Sequence, residues 1–420
     1  MHKVNASIIT IGDELLIGQT IDTNSAFIAQ EFNKTGVWVH RRVAVGDVYD
    51  DIRKALDDES ALSDIIVITG GLGPTADDIT KPLLCEYFGG KMIVNEKVKE
   101  HVIHLFEKVF RRPGPMLERN LKQAEVPDVC TVLHNARGTA PGMMFRKNGK
   151  LFFSLPGVPH EMKGLIVKEV IPVIQKEFEL PAIIHRTVFT AGKGESMIAE
   201  ILQDFEGSLP SHIKLAYLPN YGMVKLRLTA AGDQADVVIK ELEPYFIRLQ
   251  ELVKDFMVVN DDKKLEEVVG QILRKHSKTM GTAESCTGGY IAHLITSIAG
   301  SSDYYKGSVV SYDNTVKSGV LGVNQSTLSQ YGAVSEQTVT EMANGLLKTI
   351  GSDFALATSG IMGPGGGTPE KPVGTVWIAV ATPGKTETLQ LNLRFDRERN
   401  IHMTAAAALD FLRKFILANT

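Results

Sequence analysis

The sequence contains few cysteines. Only three occur among the 420 residues, at Cys85, Cys130 and Cys286. An odd and sparse set of thiols does not build a disulfide framework, and it is typical of a chain that is kept in a reducing compartment. We therefore predict a cytoplasmic protein.

Long apolar runs are also missing. No stretch approaches the ~18–20 apolar residues that a membrane-spanning helix requires. The first segment, "MHKVNASIITIGDELL", has no long apolar core behind a basic region, which argues against a signal peptide. We expect no membrane partner.

Positive charge is not in excess. The chain carries 45 Lys and Arg against 49 Asp and Glu, a formal net charge of -4, and it has no long Lys/Arg block. Nucleic acids attract proteins mainly through such basic clusters. The charge balance therefore predicts no nucleic-acid partner.

Alternating strand and helix patterns fill most of the chain. At roughly 150 residues per domain, the length suggests about three domains. Residues 1–178 follow a βαβαβ pattern, which predicts an α/β domain with a parallel sheet. Residues 179–260 predict a small α+β domain with a hairpin around Pro219-Asn220. Residues 261–420 predict a second, independent α/β domain.

Two glycine-containing segments of the first domain follow predicted strands and carry carboxylates. They are "IGDELLIGQTIDTN" at residues 11–24 and "TGGLGPTADD" at residues 69–78. Glycines at strand ends let backbone N–H groups approach phosphate oxygens, so we predict phosphate binding by Thr69, Gly70, Gly71, Gly73 and Thr75. Carboxylates at the same edge repel a bare phosphate, which indicates a bridging divalent cation, Mg²⁺ or similar. Its predicted ligands are Asp13, Glu14, Asp77 and Asp78. The alternative is a pair of structural turns in which an Asp caps a helix.

The stretch "TAESCTGG" in the last domain predicts a strand, a sharp turn and a helix. Such a turn lifts a nucleophile clear of the sheet, and we expect the helix N-terminus to stabilise an oxyanion. The turn offers two nucleophiles, Ser285 and Cys286. A desolvated lysine with a lowered pKa can serve a serine as base, and "SYDNTVK" offers Lys317 with Tyr312. The alternative is a surface lysine and a packed tyrosine.

Two further segments complete the candidate site. One is a glycine-rich loop, "GIMGPGGG" at residues 360–367, and the other is an arginine cluster in "RFDRERNIH" at residues 394–402. The loop suits close backbone approach to a phosphate, and a guanidinium near a helix start can hold a phosphate or carboxylate. The predicted substrate-binding residues of this domain are Thr287, Gly288, Ser359, Gly360, Gly363, Gly365, Gly366, Arg397 and Arg399. The set describes a hydrolase that acts on an amide or ester of a phosphorylated small molecule.

Several of these motifs resemble one protein family. "ITGGLGPTADD" with "GDELLIGQTIDTN" resembles the N-terminal domain of the CinA family (competence/damage-inducible protein A). The resemblance implies a three-layer, molybdopterin-binding-like α/β fold and a metal-dependent ADP-ribose pyrophosphatase. "ESCTGG", "SYDNTVK" and "GPGGGTPEKPVGTVW" resemble the family's C-terminal domain, a nicotinamide-nucleotide amidase that needs no cofactor.

The resemblance also implies a reaction and residue roles. Nicotinamide mononucleotide would be hydrolysed to nicotinate mononucleotide and ammonia, with Ser285 as nucleophile and Tyr312 and Lys317 as the activating pair. It further implies a homodimer. The chain departs from the family pattern at Ser359, where threonine is usual, and in its arginine motif, where Phe395 and His402 stand. Whether Arg397 or Arg399 meets the phosphate stays open.

Two other functions compete with this one. A binding or scaffold protein linked to competence or DNA damage, with a pterin- or nucleotide-binding N-terminal domain, would favour a basic or apolar exposed surface. Pterin binding by the N-terminal domain alone would leave the C-terminal motifs unexplained.

Overall fold

The computed structural model describes residues 3–73, 75, 78–109, 118–261 and 263–420. The chain divides into two compact units. One comprises Met1–Ile184 with Ala231–Lys240, and the other comprises His185–Ala230 with Glu241–Thr420.

The N-terminal unit contains a six-stranded sheet in which three central strands are almost entirely buried. Continuous apolar runs such as "IIVIT" are typical of strands covered on both faces. The strands of this unit are β1 (Asn5–Ile11), β2 (Trp38–Val45), β3 (Ile65–Thr69), β4 (Met92–Val94), β5 (Glu125–Pro127), β6 (Thr131–Leu133), β7 (Gly142–Lys147) and β8 (Lys150–Leu155). The sheet order is β2-β1-β3-β8-β7-β6. Strands β2, β1, β3 and β8 are parallel, whereas β7 and β6 are antiparallel additions at one end.

Helices cover both faces of this sheet. They are α1 (Asp13–Leu16), α2 (Thr23–Lys34), α3 (Tyr49–Leu62), α4 (Thr80–Tyr87), α5 (Glu96–His104), α6 (Glu118–Leu121), α7 (Pro159–Leu165) and α8 (Ile171–Glu177). Ile28 and Phe32 of α2 pack in one core cluster, and Ile52 and Leu56 of α3 pack in another. The unit is therefore a three-layer α/β sandwich, as the alternating pattern predicts.

The middle part of the chain forms a four-stranded sheet in the order β10-β11-β9-β12. Its elements are β9 (Ala182–Ala191), α9 (Glu195–Gly207), β10 (Lys214–Asn220), β11 (Met223–Gly232), α10 (Ala235–Val253) and β12 (Met257–Val259). The predicted hairpin is present, but its turn lies at Tyr221-Gly222, because Asn220 still pairs with Met223. Tyr221 has φ 32° and Gly222 φ 77°, the left-handed values that two-residue hairpin turns require.

The C-terminal sheet has the order β14-β13-β15-β16-β17. Its strands are β13 (Met280–Glu284), β14 (Tyr305–Val310), β15 (Phe354–Gly360), β16 (Thr375–Thr382) and β17 (Lys385–Asn392). Strands β14, β13 and β15 are parallel, so their carboxyl ends lie at one edge. Strands β16 and β17 continue the sheet in antiparallel fashion.

Helices again cover both faces of the sheet. They are α11 (Leu265–Lys275), α12 (Tyr290–Thr296), α13 (Asn314–Gly319), α14 (Gln325–Tyr331), α15 (Glu336–Ile350) and α16 (Arg397–Ala418). Leu273 of α11 packs with Leu409 and Leu412 of α16 on one face, and Met342 and Leu346 of α15 pack on the other. Helix α16 begins at Arg397, so both candidate arginines, Arg397 and Arg399, lie on its first turn.

The mixed α/β fold class is confirmed. Within the described ranges, no helix combines the length and the apolarity needed to cross a membrane.

Candidate functional site

Three strand ends come together around Ser285. The Ser285 N–H donates to the Thr358 carbonyl oxygen at 3.0 Å, and the Ser311 N–H donates to the Glu284 carbonyl oxygen at 2.8 Å. These bonds continue the ladder beyond β13 and fix the serine between β14 and β15. Ser285 is only 8% exposed, so the turn presents it from a largely enclosed position.

Glu284 is a structural carboxylate that holds the turn. Its side chain is completely buried and accepts N–H bonds from Gly289 at 3.1 Å, Ile291 at 3.0 Å and Ala292 at 2.8 Å. These are the N–H groups at the start of α12 that lack an intrahelical partner. A carboxylate that accepts several N–H bonds is strongly stabilised, so Glu284 both neutralises the helix start and fixes the Ser285 turn.

The same bonds correct the expectation that the N-terminus of α12 stabilises an oxyanion. The first free N–H groups of the helix already donate to Glu284. The Gly288 N–H donates to the Ser285 carbonyl oxygen, and the Tyr290 N–H donates to that of Thr287. Stabilisation of negative charge must therefore come from other groups of the site.

Lys317 lies buried beside the strand ends. Its side chain is 1% exposed, and its ammonium donates to the carbonyl oxygens of Ser311 at 2.7 Å and Tyr312 at 3.2 Å. Burial lowers the pKa of Lys317, against the opposing influence of Asp313 and Cys286. Tyr312 is 64% exposed. The lysine is thus buried and the tyrosine exposed, which is the opposite of the alternative considered from the sequence, a surface lysine and a packed tyrosine.

Cys286 is unsuited to act as the nucleophile. Burial raises the pKa of its thiol to about 12. A thiol reacts as the thiolate, so this cysteine is almost fully protonated at neutral pH. Of the two neighbouring nucleophiles, the structure favours Ser285.

The two candidate arginines point to different places. The Arg397 guanidinium donates to the Gly363 carbonyl oxygen at 2.8 Å and to the Tyr312 hydroxyl at 3.1 Å. It therefore joins the glycine loop to the segment that carries Lys317. The Arg399 guanidinium instead lies 4.0 Å from the centre of the Phe395 ring. Arg397 is the arginine that the fold brings to the Tyr312 side of the site.

Asn400 supports this arrangement and was not predicted from the sequence. It is completely buried, and its amide donates to the carbonyl oxygens of Met362 at 3.1 Å and Phe395 at 2.9 Å. The bonds tie the glycine loop to the start of α16. A polar residue on the inner side of a first helical turn was the available signal, but its partner lies 38 residues away.

The hydroxyls predicted to bind substrate have structural partners. Ser359 donates to the Ala333 carbonyl oxygen at 2.6 Å, and Thr287 pairs with the Thr358 hydroxyl at 2.8 Å. Gly363 and Gly366 adopt φ 87°, which side chains rarely do, so the loop depends on glycine there. Gly288 (φ 60°) turns the chain into α12. Gly360 ends β15, and Gly365 lies between the two left-handed glycines.

The N-terminal glycine loops meet at the carboxyl edge of the other sheet. The Gly70 N–H donates to the Leu155 carbonyl oxygen at 3.1 Å. A Cβ at Gly70 would lie 2.2 Å from the Ile11 carbonyl oxygen, and one at Gly71 would lie 2.1 Å from the Thr80 hydroxyl. Close backbone approach therefore requires glycine at both positions.

A cavity of about 420 Å³ opens at these loops. Among the predicted residues, those in its wall are Glu14, Gly70, Gly71, Gly73 and Asp78. Two further carboxylates, Asp47 and Glu161, also line it. The cavity is thus acidic with a glycine backbone, which contrasts with the lysine and arginine of the C-terminal site.

Some predicted residues support the loops instead of lining this cavity. The Asp13 carboxylate accepts the Asp47 N–H at 3.2 Å, and the Thr69 hydroxyl donates to the Pro156 carbonyl oxygen at 3.1 Å. Thr75 donates its N–H, at 2.8 Å, and its hydroxyl to Asp78.

The predicted metal ligands do not form a complete set. Asp78 also accepts the Gly73 N–H at 2.8 Å, so both its oxygens hold the loop. Asp77 lies outside the described residues. Within the described part of the chain, no group of three or more His, Cys, Asp or Glu side chains is placed to hold a metal ion.

Glu161 lies in the first turn of α7, and its carboxylate lines the cavity. It accepts the Asn135 amide N–H at 2.6 Å. Burial raises the pKa of Glu161, although the bond from Asn135 acts in the opposite direction. A Cβ at Gly138 would lie 2.0 Å from this carboxyl group, so glycine at 138 makes room for it.

We predict that Glu284→Gln destabilises the C-terminal unit by about 2–5 kcal/mol, because an amide NH₂ would face N–H groups that now have an acceptor. Urea denaturation measures the change, and the reactivity of the Cys286 thiol should rise with it. Glu398→Gln, at an exposed position on α16, is the control and should stay within about 0.5 kcal/mol. An unchanged midpoint for Glu284→Gln would contradict this structural role.

Three family models match consecutive parts of the chain. They are a probable molybdopterin binding domain over residues 7–176, a damage-inducible protein CinA KH domain over residues 185–257, and a CinA C-terminal domain over residues 262–416.

Full-length relatives match as well. A CinA-like protein of Cytophaga hutchinsonii is 47% identical over 411 residues, which cover 98% of each chain. A CinA-like protein of Flavobacterium psychrophilum is 46% identical over 417 residues, which cover 99% of each chain. The crystal structure of competence/damage inducible protein CihA from Agrobacterium tumefaciens is 39% identical, covers 36% of this chain and 92% of its own, and has a TM-score of 0.35. The chain belongs to the CinA family.

Proposed function

We propose that the C-terminal unit hydrolyses nicotinamide mononucleotide to nicotinate mononucleotide and ammonia. The observation that carries this proposal is a buried lysine of lowered pKa, Lys317, at the strand ends that also position Ser285. A serine nucleophile needs a base, and a lysine supplies one only when it is desolvated enough to be neutral.

The first half of the reaction transfers the nicotinoyl group to the enzyme. The Ser285 hydroxyl attacks the carboxamide carbon, and its proton passes to the neutral amine of Lys317. The tetrahedral intermediate collapses, the C–N bond breaks, and the nitrogen takes the proton and leaves as ammonia. An ester between Ser285 and the nicotinoyl carbonyl remains.

The second half releases the product. Water attacks the ester carbon while the Lys317 amine takes one of its protons. The C–O bond to Ser285 breaks, the serine oxygen recovers that proton, and nicotinate mononucleotide leaves. Lys317 thus returns to its neutral form, and the overall reaction consumes one water.

Recognition of the substrate phosphate is assigned to Arg397 and the glycine loop. A guanidinium forms paired bonds to phosphate oxygens, and left-handed glycines expose backbone N–H groups. Arg397 already contacts both Gly363 and Tyr312. It can therefore link phosphate binding to the segment between Tyr312 and Lys317.

Ser285→Ala should lower ammonia release from nicotinamide mononucleotide by at least about a thousandfold, since the nucleophile is lost. The matched variant Cys286→Ala should retain most of the activity, because the thiol is protonated and buried. Ammonia release is measured with nicotinamide mononucleotide and, for comparison, with nicotinamide. Undiminished release by Ser285→Ala, or its loss in Cys286→Ala, would refute the serine assignment.

We propose a second reaction for the N-terminal cavity, the divalent-cation-dependent hydrolysis of ADP-ribose to AMP and ribose 5-phosphate. The glycine backbone and the carboxylates of the cavity support it. Mg²⁺ is commonly bound by one or two carboxylates together with substrate phosphates and waters. Such binding does not need a group of three protein ligands, and Glu14 would supply a carboxylate while Asp78 holds the loop beside it.

The protein's own residues perform the other tasks of this reaction. The N–H groups of Gly70 and Gly73 already donate to Leu155 and Asp78. The part of these glycines would therefore be to let the pyrophosphate approach the loop closely, and a bound cation would neutralise its charge. Glu161 is the cavity carboxyl group with a raised pKa, which suits it to exchange a proton with the attacking water.

Asp78→Ala should reduce ADP-ribose hydrolysis by about tenfold or more and leave ammonia release unchanged, because the loop that it holds belongs to the N-terminal unit alone. EDTA should abolish the hydrolysis, and added Mg²⁺ should restore it. Asp50→Ala, an exposed carboxylate on α3, serves as the control. Hydrolysis that survives both Asp78→Ala and EDTA would contradict the proposal.

A further inference from the structure

A second cavity lies next to the acidic cavity of the N-terminal unit. Its volume is about 300 Å³. Apolar groups of Val98, Leu133 and Pro141 form part of the wall, and the imidazole rings of His101 and His134 form another part. The proposed pyrophosphatase reaction uses none of these side chains.

The two cavities share a wall. Thr139 lines both of them. Asn135 lines the second cavity, and its amide donates to the carboxylate of Glu161, which lines the first, at 2.6 Å. The Asn135 amide also donates to the Ala140 carbonyl oxygen at 2.8 Å. A ligand that extends from one cavity to the other would therefore pass the 138–140 segment.

The histidine rings form a small aromatic surface. Their centres are 4.7 Å apart, with an angle of 67° between the planes. The His101 Nε2 donates to the Asn135 carbonyl oxygen at 2.9 Å, which fixes that ring. His134 packs its ring against His101 and is exposed, so it is accessible to a ligand.

We propose that this second cavity binds the nucleobase of a substrate whose pyrophosphate occupies the neighbouring acidic cavity. The inference rests on the proposed pyrophosphatase function and adds a base-binding site to it. Nucleobases stack on aromatic side chains, and apolar walls with a few polar groups are typical of small-molecule sites. The volume is at the lower end of the range for ligand pockets, about 300–1,000 Å³, which suits a flat ring system better than a whole nucleotide.

A metal site is the other function that two neighbouring histidines suggest. No third His, Cys, Asp or Glu among the described residues joins them in a metal-holding group. The bond from His101 Nε2 leaves the other ring nitrogen available, so it is the lack of a third ligand among the described residues that favours stacking over metal binding.

The kinetic test uses the full-length protein and its two expected products as inhibitors. His134→Ala should raise the KM for ADP-ribose and the inhibition constant of AMP by about 5- to 150-fold, the effect of losing one base–aromatic contact. Inhibition by ribose 5-phosphate should not change, because it carries no base. His134→Phe should restore AMP affinity, and His104→Ala, on the same helix as His101 but outside the cavity wall, should behave as wild type.

A binding measurement separates failure of this inference from failure of the proposed reaction. AMP titrated into the wild-type protein should shift the imidazole NMR signals of His101 and His134. If ADP-ribose is not hydrolysed but AMP still produces these shifts, the proposed reaction is wrong and the base site stands. If ADP-ribose is hydrolysed, and His134→Ala changes neither its KM nor inhibition by AMP, the base site is wrong and the reaction stands.

Discussion

The C-terminal site depends on one buried carboxylate. Glu284 accepts three backbone N–H bonds at the start of α12 and thereby fixes the turn that carries Ser285. These bonds have a chemical consequence, because they leave the helix start unable to donate to a developing oxyanion. Stabilisation of the oxyanion must then come from other groups of the site, because Lys317 of α13 serves as the base and Arg397 of α16 is assigned to the substrate phosphate.

The sequence predicted the features that depend on local patterns. Buried apolar strands, glycine turns after them and the parallel order of the central strands all follow from short-range periodicity, and so does the position of Ser285 at a strand end. Even the hairpin of the middle sheet was predicted, although its turn is shifted to Tyr221-Gly222 because the pairing of β10 and β11 extends further than the Pro219-Asn220 signal suggested.

Features that depend on distant contacts could not be predicted in this way. Asn400 acts on a loop 38 residues away, and Glu161 meets Asn135 across 26 residues. The exposure of Tyr312 and the burial of Lys317 also depend on how α13 packs, which spacing alone does not determine. Sequence could not tell which arginine, Arg397 or Arg399, faces the site, because both lie on the first turn of α16. Only their contacts with distant residues distinguish them.

The two sites differ in charge in the way that their proposed chemistry requires. A pyrophosphate in an acidic, glycine-lined cavity needs a cation between itself and the carboxylates, whereas amide hydrolysis by a serine needs a neutral amine. The central claim is that Lys317 is that amine. A protonated lysine cannot accept the serine proton, so activity must fall as the pH drops through the Lys317 pKa.

The most direct test is the pH dependence of kcat/KM for nicotinamide mononucleotide. The wild-type protein should gain activity through an apparent pKa below the usual lysine value of about 10.4. The arginine of Lys317→Arg stays charged at every pH. This variant should therefore be at least about a thousandfold less active, and its activity should no longer increase with pH in this range. Lys348→Arg, at an exposed position on α15, is the matched control. A Lys317→Arg variant that keeps both the activity and the rise of the wild-type protein would contradict the account.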